Sequence, residues 1–125
     1  MKNGVHFFRD HDDCSPRIQA RGGPRLVYTF LQTDIQDAAL AGELLGRLEE
    51  VAAGERDRYE MTGNGHHLEA DNRSVRIESL FDDSSPAQDM ELAPFVALVA
   101  SWQRFLADSS LLAAVHRYPE HPAAG

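Results

Sequence analysis

Apolar and polar side chains alternate between residues 58 and 80 in three short runs, "RYEMT", "HHLEAD" and "SVRIESL". The runs are separated by "GNG" and by Asp71-Asn72, which are typical turn sequences. Alternation with a period of two, interrupted by turns, predicts a β-meander. The buried face of this meander is predicted to contain Tyr59, Met61, Leu68, Ala70, Val75 and Ile77. The opposite, outward face is predicted to carry Glu69, Asp71, Arg76 and Glu78.

The N-terminal part predicts further antiparallel strands. Residues 5–9, "VHFFR", form a short strand pattern and are followed by the polar loop "HDDCSP". The runs "RIQAR" and "RLVYTFL" flank "GGP", whose glycines provide the backbone freedom that a hairpin turn requires. In the second run Leu26, Tyr28 and Phe30 alternate with Val27 and Thr29. This alternation predicts a strand with one buried face.

A first helix is predicted to begin at "TDIQ" and to end near Gly54. Thr33 and Gln36 have the spacing of a capping box at a helix N-terminus. An apolar stripe follows at spacings of four, four and three: Leu40, Leu44, Leu48 and Val51. Gly42 and Gly46 interrupt this helix; they indicate either close approach of another backbone or tolerance on an exposed face.

A second helix follows the loop "DDSSPAQD", with Pro94 in its first turn. Its apolar stripe is the clearest in the chain and is interpreted as core: Phe95, Leu98, Val99, Trp102, Phe105 and Leu106. The segment "SSLLAAVHRY" predicts a short C-terminal helix, and "PEHPAAG" predicts a loose tail.

These elements predict an α+β fold, in which an antiparallel sheet of five to six strands has two main helices packed on one face. No repeat or domain boundary is evident. We therefore expect one domain over residues 1–118 and a flexible tail over residues 119–125. A chain of 125 residues is long enough to bury a core without disulfides or metals.

Charge narrows the classes of partner. The chain has 20 acidic and 12 basic residues and a net charge of −8, which disfavours nucleic acid and favours a basic protein partner. No lysine or arginine occurs between Arg76 and Arg104, where several carboxylates lie. Alternatively, the carboxylates of this segment form a solvated face that keeps the protein soluble.

A single cysteine, Cys14, and the lack of an apolar run of about 18 residues predict a cytoplasmic protein without membrane contact.

No pattern of catalytic residues emerges. His66 and His67 are adjacent, so in a strand they point to opposite faces and cannot chelate one metal ion side by side. A metal site could in principle recruit residues of the "HDDC" loop, His11 to Cys14, but the spacing matches neither HExxH nor CxxC. The carboxylates around Cys14 would raise a thiol pKa, which is the opposite of activation. We therefore expect no catalytic residue, metal or cofactor.

The second half of the chain resembles the YacL-like family of small bacterial proteins. The resemblance rests on Gly63-Asn64, Leu68, Val75, Ile77, the "LFDD" strand end, Phe95, Trp102 and Phe105-Leu106, with "FFRD" as the opening strand. It spans most of residues 5–108, and the chain departs from it in the "HDDC" loop and from residue 109 onward. Relatives in that family include immunity proteins of contact-dependent growth inhibition (CdiI-type), which implies a cytoplasmic protein that binds one cognate toxin domain. The family supplies no catalytic residues.

The leading functional hypothesis is therefore an immunity protein that neutralises a toxin domain, such as a nuclease, through an acidic surface. The expected contacts are Asp82, Asp83, Asp89 and Glu91, with Glu69, Asp71 and Glu78 as a second patch on the sheet. One alternative is a housekeeping protein of the same fold that binds another cytoplasmic protein. Another is a small metal-dependent enzyme that uses His66 or His67. The oligomeric state stays open.

Overall fold

A computed structural model describes residues 5–82, 84, 86–108 and 121–122. The three helices in this part of the chain are α1 (Arg25–Asp34), α2 (Ala38–Ala52) and α3 (Leu92–Ala107). The strands are β1 (Val5–Arg9), β2 (Pro16–Ala20), β3 (Tyr59–Thr62), β4 (His66–Ala70), β5 (Ser74–Ser79), β6 (Gln88–Glu91) and β7 (His121–Pro122).

The fold is α+β, but its strands form two antiparallel sheets rather than the single sheet that the sequence predicted. One sheet has the order β2-β1-β7 and the other has the order β3-β4-β5-β6. The predicted meander over β3, β4 and β5 is confirmed, with Leu68 opposite both Met61 and Ile77. The sheets are separate because the chain leaves β2 through a helix instead of a hairpin.

Helix α1 replaces the predicted strand "RLVYTFL". Val27, Phe30, Leu31 and Asp34 are buried, a spacing of three, one and three that defines one face of a helix. Leu26, Tyr28 and Phe30 of the same segment also alternate with Val27 and Thr29, so the local pattern fits both structures, and burial of the helical face selected the helix. Gly23 has a φ of +86° in the turn before α1, and Pro24 follows at the N-cap.

Helix α2 begins later than the capping-box pattern predicted. Its N-cap is Asp37, whose side chain accepts a hydrogen bond of 2.7 Å from the backbone N–H of Leu40. Thr33 lies inside α1 and its hydroxyl donates to the carbonyl of Thr29, so the Thr33–Gln36 prediction was wrong. The predicted apolar stripe is confirmed, since Leu44, Leu48 and Val51 are buried and Leu40 packs against them.

Part of the predicted loop before α3 is a strand. Gln88–Glu91 pairs with β5, placing Met90 opposite Val75 and Asp89 opposite Arg76. This pairing satisfies the backbone groups along the outer side of β5, which a loop would leave to water. Helix α3 is confirmed with its complete apolar stripe buried and with Pro94 in the first turn.

The core is centred on Trp102 of α3. Its ring packs edge-on against Phe7 of β1 at 4.9 Å and stacks on Phe105 at 5.4 Å. The indole N–H donates a buried hydrogen bond of 2.6 Å to the carbonyl of Ile35, between α1 and α2. One residue therefore joins the first sheet, α3 and the α1–α2 connection. All three helices also contact strands of the β3–β6 sheet.

The C-terminal predictions are mostly untested. The predicted helix at 109–118 lies outside the described residues, and the domain boundary at residue 118 stays a prediction. Beyond it, His121–Pro122 lies beside Phe7 and His6 of β1. In the described part of the chain, no helix has the length and apolar content needed to cross a bilayer.

Replacing Gly46 by alanine should stabilise the protein. A Cβ atom at this position in α2 would meet no heavy atom within 4 Å, and the backbone is helical. Alanine in a helix interior is favoured over glycine by about 0.5–1 kcal/mol, so the urea midpoint should rise. Gly54→Ala is the control, because its φ of +80° should make alanine destabilising. A lower urea midpoint for Gly46→Ala than for the original protein would contradict the finding that there is space for a Cβ atom at this position.

Candidate functional site

The solvent face of the β3–β6 sheet carries most of its charge in one row across the strands. In register, Glu60 of β3 lies opposite Glu69 of β4, Glu69 opposite Arg76 of β5, and Arg76 opposite Asp89 of β6. Glu78 lies two residues along β5 and is also exposed. We call this surface the open face and define it by Arg58, Glu60, Thr62, His67, Glu69, Arg76, Glu78 and Asp89.

Arginines tie neighbouring carboxylates of the open face together. Arg76 lies 3.5 Å from Glu78 and 3.4 Å from Asp89. Arg58 lies 3.2 Å from Glu60 and 3.6 Å from Glu69. Such exposed ion pairs contribute only about 0–1 kcal/mol each to stability. The open face has a net negative charge, because its four carboxylates are paired with only two arginines.

His67 lies among these carboxylates. Its Nδ1 is 2.9 Å from the hydroxyl of Thr62, and its Nε2 is 3.4 Å from Glu60 and 3.5 Å from Glu69. Among the described residues, Glu60, His67 and Glu69 are the one group of three or more metal-ligating side chains close enough to share an ion. The "HDDC" loop, which the sequence suggested as a source of ligands, is not part of it. The predicted opposite orientation of His66 and His67 is confirmed, because His66 is buried.

The predicted contact residues fall in different places. Glu69, Glu78 and Asp89 come together on the open face. Glu91 lies opposite Ser74 at one end of the β5–β6 pair, and Asp82 follows the other end of β5, so the structure separates these two. Asp83 lies outside the described residues.

Asp71 occupies the turn between β4 and β5. Hydrogen bonds from the backbone N–H groups of Arg73 and Ser74, at 2.8 and 2.9 Å, lower the pKa of its carboxyl. The charged form of Asp71 therefore stabilises the turn. This carboxylate is held at the edge of the open face by the backbone that it caps.

A buried carboxylate–histidine pair lies on the other side of the sheet, and the sequence interpretation missed its carboxylate. Asp34 ends α1 with its side chain fully buried, and its Oδ2 lies 3.2 Å from Nδ1 of His66. His66 is therefore hydrogen-bonded at the edge of the core. Asp34 belongs to "TDIQ", where the sequence predicted a helix N-terminus, but it ends α1, and the dipole disfavours a carboxylate at a helix C-terminus.

Other donors compensate the burial of Asp34. Its Oδ1 accepts a hydrogen bond from the Gly65 N–H at 3.2 Å and lies 3.0 Å from the Thr33 hydroxyl, whose one proton is shared with the carbonyl of Thr29. A Cβ atom on Gly63 would lie only 2.5 Å from Oδ2, so the turn between β3 and β4 closes directly over the carboxylate. Asp34 thus fixes the end of α1 to this turn and holds the His66 ring through Nδ1, which leaves Nε2 as the atom able to accept a proton or ligand.

A cleft of about 400 Å³ opens beside this pair. His66 and Asp34 line it together with residues from α1, from the turn between β3 and β4, and from the end of β5: Leu26, Thr29, Thr33, Asn64, Gly65, Ser79, Phe81 and Asp82. Phe81 is 82% exposed and its neighbour Leu80 is 40% exposed. The backbone N–H groups of Phe81 and Asp82 donate to the Ser79 hydroxyl oxygen at 3.3 and 3.1 Å, which holds the turn.

Sequence reasoning missed Asp34, Glu60, Thr62 and Phe81 as functional candidates. Two of these carried a usable signal, because Glu60 and Thr62 are the polar positions of the predicted strand "RYEMT" and must share the face of His67. Asp34 and Phe81 carried none, since their roles depend on contacts with distant segments or on exposure.

A scan of the chain against protein-family models, and searches of curated proteins and of solved structures, found no match. The resemblance to the YacL-like family therefore stays a prediction. The geometry of the described residues is the basis for any functional proposal.

Replacing Gly63 by alanine should destabilise the protein by about 1–3 kcal/mol, because the new methyl group would displace the Asp34 carboxylate from its buried donors. Gly65→Ala is the matched control: its Cβ atom would lie an ordinary 3.7 Å from Asp34, so the loss should stay below about 1 kcal/mol. Urea unfolding would measure both.

A double-mutant cycle tests the cause of this loss. In an Asp34→Ala background the clash is absent, so Gly63→Ala should be less harmful than in the original protein. Equal losses in both backgrounds would contradict the proposed contact between Gly63 and Asp34.

Proposed function

We propose that this protein is a cytoplasmic immunity protein that binds and neutralises a basic toxin domain. The observation that carries the proposal is Phe81, an exposed aromatic side chain in a hydrogen-bonded turn beside Asp82. Interface energy is concentrated in a few aromatic or arginine side chains that fill pockets on the partner. Phe81 has the character of such an anchor.

The turn around Phe81 supports this role because it is already ordered by its own hydrogen bonds. Besides the two bonds to Ser79, the Asp82 carboxylate accepts from the backbone N–H and the hydroxyl of Ser84, at 3.1 and 2.6 Å. A preorganised loop loses less conformational entropy on binding than a loose one. The exposed ring can therefore contribute more of its buried area to affinity.

Charge supports a basic partner. The chain has a net charge of −8, Asp82 adjoins Phe81, and the open face retains a negative excess. Complementary charge raises association rates and suppresses binding to acidic proteins. Neutralisation follows from occlusion of the toxin's active site, and with a nuclease as partner the row of carboxylates would occupy positions that substrate phosphates take.

Wild-type protein should bind the toxin domain encoded by the neighbouring gene one-to-one, with affinity that falls as salt rises. Phe81→Ala should weaken this binding about 30-fold or more, mainly through faster dissociation, because an anchor residue contributes about 2 kcal/mol or more. Titration calorimetry and surface plasmon resonance would measure it. Leu80→Ala, the less exposed neighbour, is the control and should have a smaller effect. Full affinity in Phe81→Ala would exclude Phe81 as the anchor.

Asp82→Lys should slow association with the same domain at low salt, since it reverses a charge at an exposed position next to Phe81. The control is Glu55→Lys, an equal charge reversal at an exposed position after α2. Identical association rates for the two variants would argue against a contact at Asp82.

Absence of any binding by the wild-type protein would reject the immunity role and favour another cytoplasmic protein as partner.

A further inference from the structure

We propose that Glu60, His67 and Glu69 form a binding site for a divalent transition-metal ion, with Zn²⁺ as the preferred ion. The site lies on the open face, and we infer it without relying on the proposed toxin binding. Its ligand atoms would be Nε2 of His67, Oε1 of Glu60 and Oε2 of Glu69, which all lie within 4.8 Å of one another.

The distances from His67 to the two carboxylates match the geometry of a zinc site. Nitrogen and oxygen ligands about 2.0–2.1 Å from a tetrahedral zinc ion are separated from each other by about 3.3–3.4 Å. Nε2 of His67 lies 3.4 Å from Oε1 of Glu60 and 3.5 Å from Oε2 of Glu69. An ion could therefore bind with little movement of the imidazole ring relative to either carboxylate.

The neighbouring side chains hold the ligands in orientations that suit a metal ion. Thr62 Oγ1 lies 2.9 Å from Nδ1 of His67, and a proton on Nδ1 donated to this hydroxyl leaves the Nε2 lone pair free. Arg58 contacts the other oxygen of each carboxylate, Oε2 of Glu60 at 3.2 Å and Oε1 of Glu69 at 3.6 Å. Arg58 and Thr62 thus occupy positions outside the ligand set and support it.

The strand register gives an electrostatic reason for a cation to bind between Glu60 and Glu69. Glu60 and Glu69 lie directly opposite each other on β3 and β4, and like charges at such positions destabilise a sheet. Arg58 offsets part of this repulsion at the outer oxygens. A cation between the inner oxygens and His67 would offset the rest.

The ligand types select among metal ions. An imidazole nitrogen suits zinc, copper, nickel and iron, whereas Mg²⁺ and Ca²⁺ prefer sites made of six or more oxygen ligands. Three protein ligands leave a fourth position of a tetrahedral ion open for water or another ligand.

The test is calorimetric titration of metal-stripped, tag-free protein with Zn²⁺, accompanied by thermal unfolding. We expect one ion per chain, a higher melting temperature with Zn²⁺, and no comparable binding of Mg²⁺. His67→Asn should weaken Zn²⁺ binding at least about 100-fold and Thr62→Ala about tenfold, since changes outside the ligand set alone cost 10–100-fold. Glu60→Gln is a second ligand variant, at a side chain that is 50% exposed, and it should also weaken Zn²⁺ binding.

Two controls separate this site from general metal affinity. Glu78→Gln removes one negative charge from the same face without removing a ligand, and His11→Asn removes an exposed histidine elsewhere. His11→Asn should bind Zn²⁺ as the wild-type protein does, and Glu78→Gln, whose side chain lies opposite His67, should lose much less affinity than Glu60→Gln. The proposal would be overturned if the wild-type protein bound no stoichiometric Zn²⁺. It would also be overturned if His67→Asn and Glu60→Gln bound Zn²⁺ with the affinity of the wild-type protein.

Discussion

The arrangement of the second sheet and α1 depends on the buried carboxylate of Asp34. A carboxylate removed from water is stable only when donors surround it, and here they come from two distant parts of the chain. Thr33 belongs to α1, whereas Gly65 and His66 belong to the β3–β4 hairpin. Because the donors lie on both elements, the end of α1 cannot move away from the hairpin without leaving a buried charge unpaired. Gly63 allows the close approach.

This constraint gives the two adjacent histidines different roles. His66 points inward, where Asp34 holds its ring beside the cleft that also contains Phe81. His67 points outward, where Thr62 and two glutamates surround it. Because side chains alternate along a β-strand, the buried pair His66–Asp34 lies on one face of the sheet and the exposed group around His67 lies on the other. Neither role requires the two rings to cooperate.

The proposed anchor residue, Phe81, and the proposed metal site occupy different regions of the same sheet. Phe81 and Asp82 follow the end of β5, and the Glu60–His67–Glu69 group lies on β3 and β4. Their common property is negative charge that the described arginines only partly balance. Negative charge favours both proposed ligands. The basic protein domain would bind at the end of β5, and the metal ion would bind where the imidazole and the carboxylates converge. Geometry, rather than charge alone, distinguishes the two.

The sequence by itself determined the elements whose pattern is local: the meander from Tyr59 to Ser79, the body of α2 and the stripe of α3. Their periodicity permits one structure, and the opposite orientation of His66 and His67 follows from it. Only the tertiary structure decided α1, because "RLVYTFL" satisfies both a helical and a strand pattern until the core is known. It also decided β6, which exists through pairing with β5, and the environment of Asp34, whose donors lie about thirty residues away in sequence. Long-range contacts of this kind leave no periodic signal along the chain, so their chemistry became visible only after the elements had packed.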